Sequence, residues 1–212
     1  MGYTYEYPHP AVTVDVIVFT VAEEARLEVL LIRRAQYPFE GMWAMPGGFV
    51  GIDESLKRAA WRELKEETGV RAASLQQLGA FGHPDRDPRE RIITVVYYSA
   101  IPYGELRFRA DSDAADAALF DVAALPRLAA DHNMIIGRAV ERLRQQGADL
   151  SFALRFLPGT FTMAEYRSAA VCVLGRPLDK RNFGRKVRHG GWIEATGEHR
   201  NSAGHRPAAL YR

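Results

Sequence analysis

The chain has 212 residues, 47% of them apolar and 25% charged, with 28 Lys and Arg against 26 Asp and Glu for a formal net charge of +2. These are the proportions of an ordinary globular protein, long enough for a domain of about 100 to 150 residues and a smaller one. A single cysteine, Cys172, excludes an intrachain disulfide, and no apolar run approaches the length of a membrane-spanning helix.

The near-neutral total hides an asymmetry. Residues 1–150 carry 17 basic and 22 acidic side chains, net −5, whereas residues 151–212 carry 11 against 4, net +7, and hold three of the six histidines. A basic short module after an acidic longer one points to a polyanionic partner for the former, although basic tails are often only solvated surface. The N-terminus has no basic stretch leading into an apolar run, so no leader is expected and the cytoplasm is the expected compartment.

In chain order, Val12–Val21 is β-branched and almost continuously apolar, and Leu27–Ile32 follows a short polar turn, so both read as strands. The segment 38–51 is punctuated by Pro and Gly and suits a short strand and a loop. From Ser55 to Thr68 the period turns helical, with Leu56, Ala59, Ala60 and Leu64 on one face and Gly69 at the expected left-handed terminus. Leu75–Phe81, Ile92–Pro102 and Ala118–Asp121 read as strands, and Asp131–Gln146 as a helix burying Ile135, Ile136, Ala139, Val140 and Leu143. These elements make an α/β sandwich ending near Gly147, so the expected domains are 1–147 and 148–212.

Beyond Gly147, Leu154–Leu157 is a short segment, Met163–Leu174 and Asp179–His189 have helical period, and Trp192–Thr196 and Ala208–Tyr211 read as two strands around a Gly/Ser/Arg-rich turn. Helix, turn, helix and hairpin in that order is the plan of a winged helix. The apolar neighbours of Cys172 suggest a buried, inert thiol.

Chemistry concentrates first in the helix that ends at Thr68. Glu63 lies three and four residues before Glu66 and Glu67, so three carboxylates share a face and repel unless a cation intervenes. Oxygen-only ligands beside a glycine loop suit Mg²⁺ or Mn²⁺. Glu-rich faces are commonly just solvated, but the spacing here is specific. Gly48, Glu54, Arg62, Glu63, Leu64, Glu66, Glu67, Gly69 and Val70 match all nine specified positions of G-x5-E-x7-R-E-U-x-E-E-x-G-U, with U apolar, and the chain therefore resembles Nudix proteins. The resemblance implies an α/β/α sandwich and metal-assisted attack of water on a nucleoside diphosphate linked to another group. It also implies that Glu63, Glu66 and Glu67 hold the metal, that the Gly48 carbonyl adds a ligand, and that Arg62 and Glu54 hold the loop against the helix. The general base varies within the superfamily, and Glu63 is the candidate here.

Substrate choice lies outside that helix. Gly82-His-Pro-Asp-Arg-Asp-Pro-Arg89 resembles the G-x-P-x-R-D-P-R segment of ADP-ribose-type Nudix proteins. Arg86 and Arg89 can offer guanidinium forks to pyrophosphate or ribose oxygens, with Asp87 beside them. Arg33 and Arg34, ending the second strand, are weaker candidates, Arg33 standing with Arg86, Asp87 and Arg89 as an expected ligand residue. Asp131 and His132 stand at a helix start, where Asp131 suits a simple cap.

In the basic module, Asp179 caps a helix whose Phe183 and Val187 point inward while Lys180, Arg181, Arg185, Lys186 and Arg188 spread around the rest. Asn182 can pair bidentately with adenine and the arginines with guanine. Arg200 and Arg206 would sit on a wing reaching phosphates or a minor groove. An ADP-ribose-type Nudix domain followed by Phe161-Thr-Met, Val173-Leu-Gly-Arg-Pro-Leu-Asp-Lys-Arg-Asn-Phe183 and Arg206-Pro-Ala-Ala-Leu-Tyr211 resembles the Nudix-related transcriptional regulator (NrtR) family along nearly the whole chain. That resemblance implies a homodimeric repressor that binds double-stranded DNA, controls NAD metabolism or sugar catabolism, and releases DNA on sensing ADP-ribose or a related nucleotide. Many members of that family have a decayed Nudix box; this one is complete, so ADP-ribose pyrophosphatase activity stands as the alternative.

Overall fold

The computed structural model describes residues 4–22, 24–109, 114–201 and 207–212. They form two compact units that interleave along the chain. The first takes the described residues of Met1–Phe19, Val29–Ser99 and Arg107–Gly137; the second takes those of Thr20–Glu28, Ala100–Leu106 and Arg138–Arg212.

Seven strands build one sheet: β1 (Ala11–Val21), β2 (Leu27–Arg34), β3 (Trp43–Ala44), β4 (Gly47–Phe49), β5 (Gln76–Phe81), β6 (Ile92–Ala100) and β7 (Ala114–Asp121). The order β3-β2-β1-β6-β5 puts β1 at the centre, with β4 also paired to β1 and β7 to β2. A central strand covered on both faces needs apolar residues without alternation. Val14, Val16, Ile17, Val18 and Phe19 are accordingly all fully buried. Antiparallel pairing of β4 sets Val14 opposite Gly48 and Asp15 opposite Gly47, which lays the glycine loop along the strand.

Helix α1 (Leu56–Thr68) packs on β4 and β7 through Ala59, Ala60 and Leu64. Its ends are set by local chemistry: the Ser55 hydroxyl accepts from the Arg58 N–H at 3.3 Å, and Gly69, at φ 70°, donates its N–H to the Lys65 carbonyl at 2.8 Å. Helix α2 (His132–Gln146) buries Ile135, Ile136, Ala139 and Leu143.

The basic module is held by helices α3 (Met163–Leu174) and α4 (Lys180–Gly190) and by a small sheet ordered β8-β10-β9, from β8 (Phe161–Thr162), β9 (Ala195–Arg200) and β10 (Ala208–Tyr211). A reciprocal capping box starts α3: Thr162 Oγ1 accepts from the Glu165 N–H while the Glu165 carboxylate accepts from the Thr162 N–H at 2.7 Å. Asp179 caps α4 by accepting from the Asn182 N–H at 2.9 Å. Tyr166 is the hub of this core, its ring edge-on to Phe161 and Phe183 at 5.7 and 5.1 Å and its hydroxyl donating to the Leu150 carbonyl at 3.1 Å.

Several elements differ from the sequence expectation. Segment 38–51 holds two short strands rather than one, because two sets of partners, β2 and β1, are available to it. β7 begins at Ala114, and its small residues concealed the first half. β8 was not foreseen, since two residues have no readable period. A 3₁₀ turn spans Leu150–Phe156, earlier than expected, and β9 runs on through Arg200, into the stretch expected as a turn. Cys172 is only half-buried, with its Sγ donating to the Ala25 carbonyl at 2.8 Å.

Removing the Tyr166 hydroxyl leaves the buried Leu150 carbonyl without that donor, so Tyr166→Phe is expected to cost about 1 to 3 kcal/mol and Tyr166→Ala about 3 to 5 kcal/mol. Chemical denaturation followed by circular dichroism checks both values and their order.

Candidate functional site

The glycine loop and α1 meet at Arg62. Its guanidinium donates to the Glu54 carboxylate at 2.6 and 3.1 Å, to Glu63 at 2.7 Å, to Glu66 at 3.1 Å and to the Phe49 carbonyl at 3.1 Å. Glu54 in turn accepts from the Gly51 N–H at 2.8 Å. The bonds from Arg62 and Gly51 hold the Glu54 carboxyl down to about 2, and the same carboxylates push the Arg62 guanidinium further up. The cation set among the expected acidic trio is thus, in the first place, Arg62.

Glu63 and Glu67 point to the glycine loop. The space where a Cβ of Gly48 would stand lies 2.5 Å from Glu63 Oε1, so only glycine lets this carboxylate rest against the loop. Glu67, buried at 7% exposure, accepts from the Gly47 N–H at 2.8 Å. Burial raises the Glu63 carboxyl against the opposing pull of Arg62. Burial, with Glu63 and Asp15 adding repulsion, pushes Glu67 up to about 8 despite its hydrogen bond. Glu66 is half-exposed on the Arg62 side. Among the described residues no three acidic, imidazole or thiol groups gather into a ready-made metal cluster. The donor set nevertheless fits a hard divalent ion: it is oxygen-only, two of its carboxylates are partly or wholly desolvated, and their mutual repulsion is what such an ion relieves.

Beside these carboxylates opens a cleft of about 200 Å³, lined by Asp15, Gly47, Gly48 and Glu67 on one side and by residues 34–39, Arg86, Asp87 and Arg89 on the other. The expected ligand residues fare differently within it. Arg86 is almost fully buried and bound bidentately to Asp131 at 2.9 and 3.3 Å, with Asp15 at 3.6 Å. Arg89 is paired with Asp87 through two bonds of 3.0 Å and lies over the Phe49 ring at 5.4 Å. Burial tends to raise Asp87, but Arg89 outweighs it and holds the carboxyl below its usual range. Arg33 is exposed and outside the cleft, donating to the Gly41 carbonyl at 3.1 Å; strand alternation turns Arg34 inward instead.

A buried polar floor was missed by sequence reasoning. Asp15, in mid-strand among apolar residues, accepts from the Thr94 hydroxyl at 2.6 Å. His132 Nδ1 accepts from the Met45 N–H at 2.9 Å, so its ring proton sits on Nε2, 3.9 Å from Asp15. Burial keeps this imidazole below its ordinary pKa. The Asp131 carboxylate receives Arg86 rather than capping α2, and no local signal betrays a partner 45 residues away. An aspartate inside a β-branched run was the one available clue to this floor.

In the basic module, Lys180, Arg181, Asn182, Arg185, Lys186 and Arg188 are exposed along α4, while Phe183 and Val187 are buried as expected. None of the five cations pairs with a carboxylate among the described residues, although Arg185 donates to Asn182 Oδ1 at 3.0 Å. Arg200 is engaged with Glu165 and the Thr160 carbonyl. Arg206 lies outside the described residues.

A glycine loop and carboxylate helix on a seven-stranded sheet, joined in one chain to a winged helix, define a Nudix protein with a DNA-binding appendage. Residues 9–143 match the NUDIX domain and residues 153–212 the NrtR DNA-binding winged helix domain. The ADPR responsive transcriptional repressor NtrR of Acinetobacter baylyi is 34% identical over 210 residues, covering 98% of this chain and 83% of that protein. NrtR of Shewanella oneidensis in complex with a 27mer DNA superposes with a TM-score of 0.80 at 33% identity, over 94% of this chain and 92% of the other. The NUDIX domain of that protein complexed with ADP ribose gives a TM-score of 0.60 at 34% identity, over 65% and 90%. The chain belongs to the NrtR family.

Glu67 sets a pH dependence. Its folded pKa, near 8, lies above the unfolded value, so the neutral form stabilises the fold at acid pH and that contribution fades as pH rises through 8. A cation needs the ionised form, so added Mg²⁺ or Mn²⁺ is expected to raise the melting temperature well at pH 8.5 and little at pH 5.5. Thermal unfolding at both pH values measures this; equal gains at the two would contradict it.

Proposed function

We propose that this protein is a transcriptional repressor that binds double-stranded DNA through α4 and the wing, and whose Nudix domain senses ADP-ribose or a related nucleotide. The observation that carries the reading is the row of exposed cations, none in an ion pair among the described residues, on a capped helix that follows α3 through a short turn. Such a helix offers Lys180, Arg181, Arg185, Lys186 and Arg188 to phosphates and base edges, with Asn182 and Arg185 three residues apart on one side. The A. baylyi repressor and the DNA and ADP-ribose complexes of the S. oneidensis protein support both halves of the reading. In the cleft, Asp87 and Arg89 are proposed to meet the nucleotide, and Arg86 to hold the loop through Asp131. Functional domains 1–147 and 148–212, a homodimer and a cytoplasmic site of action belong to the same proposal; among the described residues no helix is long and apolar enough to cross a membrane.

The complete carboxylate set favours a second reading, a hydrolase acting on the same ligand. Mg²⁺ or Mn²⁺ held by Glu63, Glu66, Glu67 and the Gly48 carbonyl would polarise phosphoryl oxygen and acidify water. Arg62 orients Glu63 and Glu66, which with Glu67 would hold the ion, and Glu63 is the proposed proton acceptor.

Fluorescence anisotropy with duplex DNA from the promoter of the chain's own gene tests the sensor. Binding is expected to be tighter than to random duplex at equal salt and to weaken about 5- to 150-fold with ADP-ribose. No preference for the promoter, or no response to ADP-ribose, would refute it. AMP release measured in parallel with Mg²⁺, and its loss in Glu66→Gln/Glu67→Gln, decides whether hydrolysis accompanies sensing.

A further inference from the structure

Three arginines line the cleft, and two of them are already neutralised. Arg86 is matched by Asp131 and Asp15, and Arg89 by Asp87. Arg34 makes no ion pair with a carboxylate among the described residues, although its charge acts on Glu67 in the same cleft. Its Nε donates to the Pro38 carbonyl at 2.7 Å, and its two terminal amino groups make no hydrogen bond among those residues. We propose that Arg34 is the anion-gripping residue of the cleft, taking the diphosphate of the bound nucleotide on the free side of its guanidinium. This rests on the nucleotide-sensing reading above.

Charge and preorganisation both favour Arg34. An incoming diphosphate meets Asp15, Glu67 and Asp87 on the lining, so it needs a cation not already held in a close ion pair. Arg34 is half-buried and held at both ends. Its main-chain N–H donates to the Met42 carbonyl at 2.9 Å, its carbonyl accepts from the Gly41 N–H at 2.8 Å, and the bond to Pro38 fixes the plane of the fork. A guanidinium immobilised through Nε loses little further freedom when its amino groups take up an anion. Arg33 supplies the internal contrast: the same side chain one residue away holds the same loop through the Gly41 carbonyl, but from outside the cleft.

Calorimetric titrations of inorganic pyrophosphate and of ADP-ribose, with EDTA present to remove metal bridging, test the assignment. Arg34→Gln is expected to weaken both ligands about tenfold to a hundredfold and to flatten the salt dependence of pyrophosphate binding. Arg34→Lys, which restores charge without the fork, is expected to recover part of the affinity and the salt slope. The proposal is overturned if Arg34→Gln binds both ligands as the wild type does, or if the Lys variant recovers neither affinity nor slope. It is also overturned, without any variant, if wild-type pyrophosphate binding is absent or insensitive to salt. Wild-type protein that binds pyrophosphate but not ADP-ribose would remove the nucleotide-sensing reading while leaving Arg34 as an anion site.

Discussion

One guanidinium holds the acidic site together. Arg62 reaches Glu54 at the end of the glycine loop, Glu63 and Glu66 on its own helix, and the Phe49 carbonyl on β4. Without that bridge, three carboxylates would repel across one helix face, and the loop would be tied to the helix only through the Gly47 N–H and Glu67 among the described residues. With it, Glu63 is drawn against Gly48, Glu67 is left to the Gly47 N–H on the far side, and the cleft acquires a defined acidic wall. The geometry of the acidic wall thus depends on a bond network centred on one guanidinium.

The opposite wall is organised by a second principle, the matching of buried charge. Burying Arg86 is tolerable only because Asp131 and Asp15 share its charge, and Asp15 is tolerable in mid-strand only because Thr94 and Arg86 satisfy it. His132 stays neutral in the same cluster and spends its ring nitrogen on a main-chain N–H. The winged helix shows the contrary arrangement, with the cations of α4 exposed and, among the described residues, not matched by carboxylates, where water and a polyanion can both reach them.

Legibility in the sequence followed the range of the interaction. Helices α1, α3 and α4, with their Ser55, Thr162 and Asp179 caps, depend on contacts within one turn, and their limits could be read almost to the residue. The carboxylate helix was legible because a metal-binding spacing is itself local. The Arg86–Asp131 pair, the Asp15–Thr94 bond and the Met45–His132 bond join residues 45 to 87 positions apart and left no periodic trace. The exchange of Arg33 for Arg34 has a different origin: β2 is buried on both faces until its last two residues, so its sequence did not reveal which of those faced the cleft.

The close approach of Gly48 to Glu63 also bears on how the cleft tolerates substitution. Any side chain at position 48 would displace first the flexible end of Glu63, a shift the sheet can absorb. The glycine and the glutamate therefore act as one structural unit, and replacing either alters the same carboxylate. Arg34, Arg86 and Arg89 stand on other elements and would keep their places. A side chain at position 48 would in this way disturb one carboxylate of the acidic wall while leaving the basic side of the cleft in place.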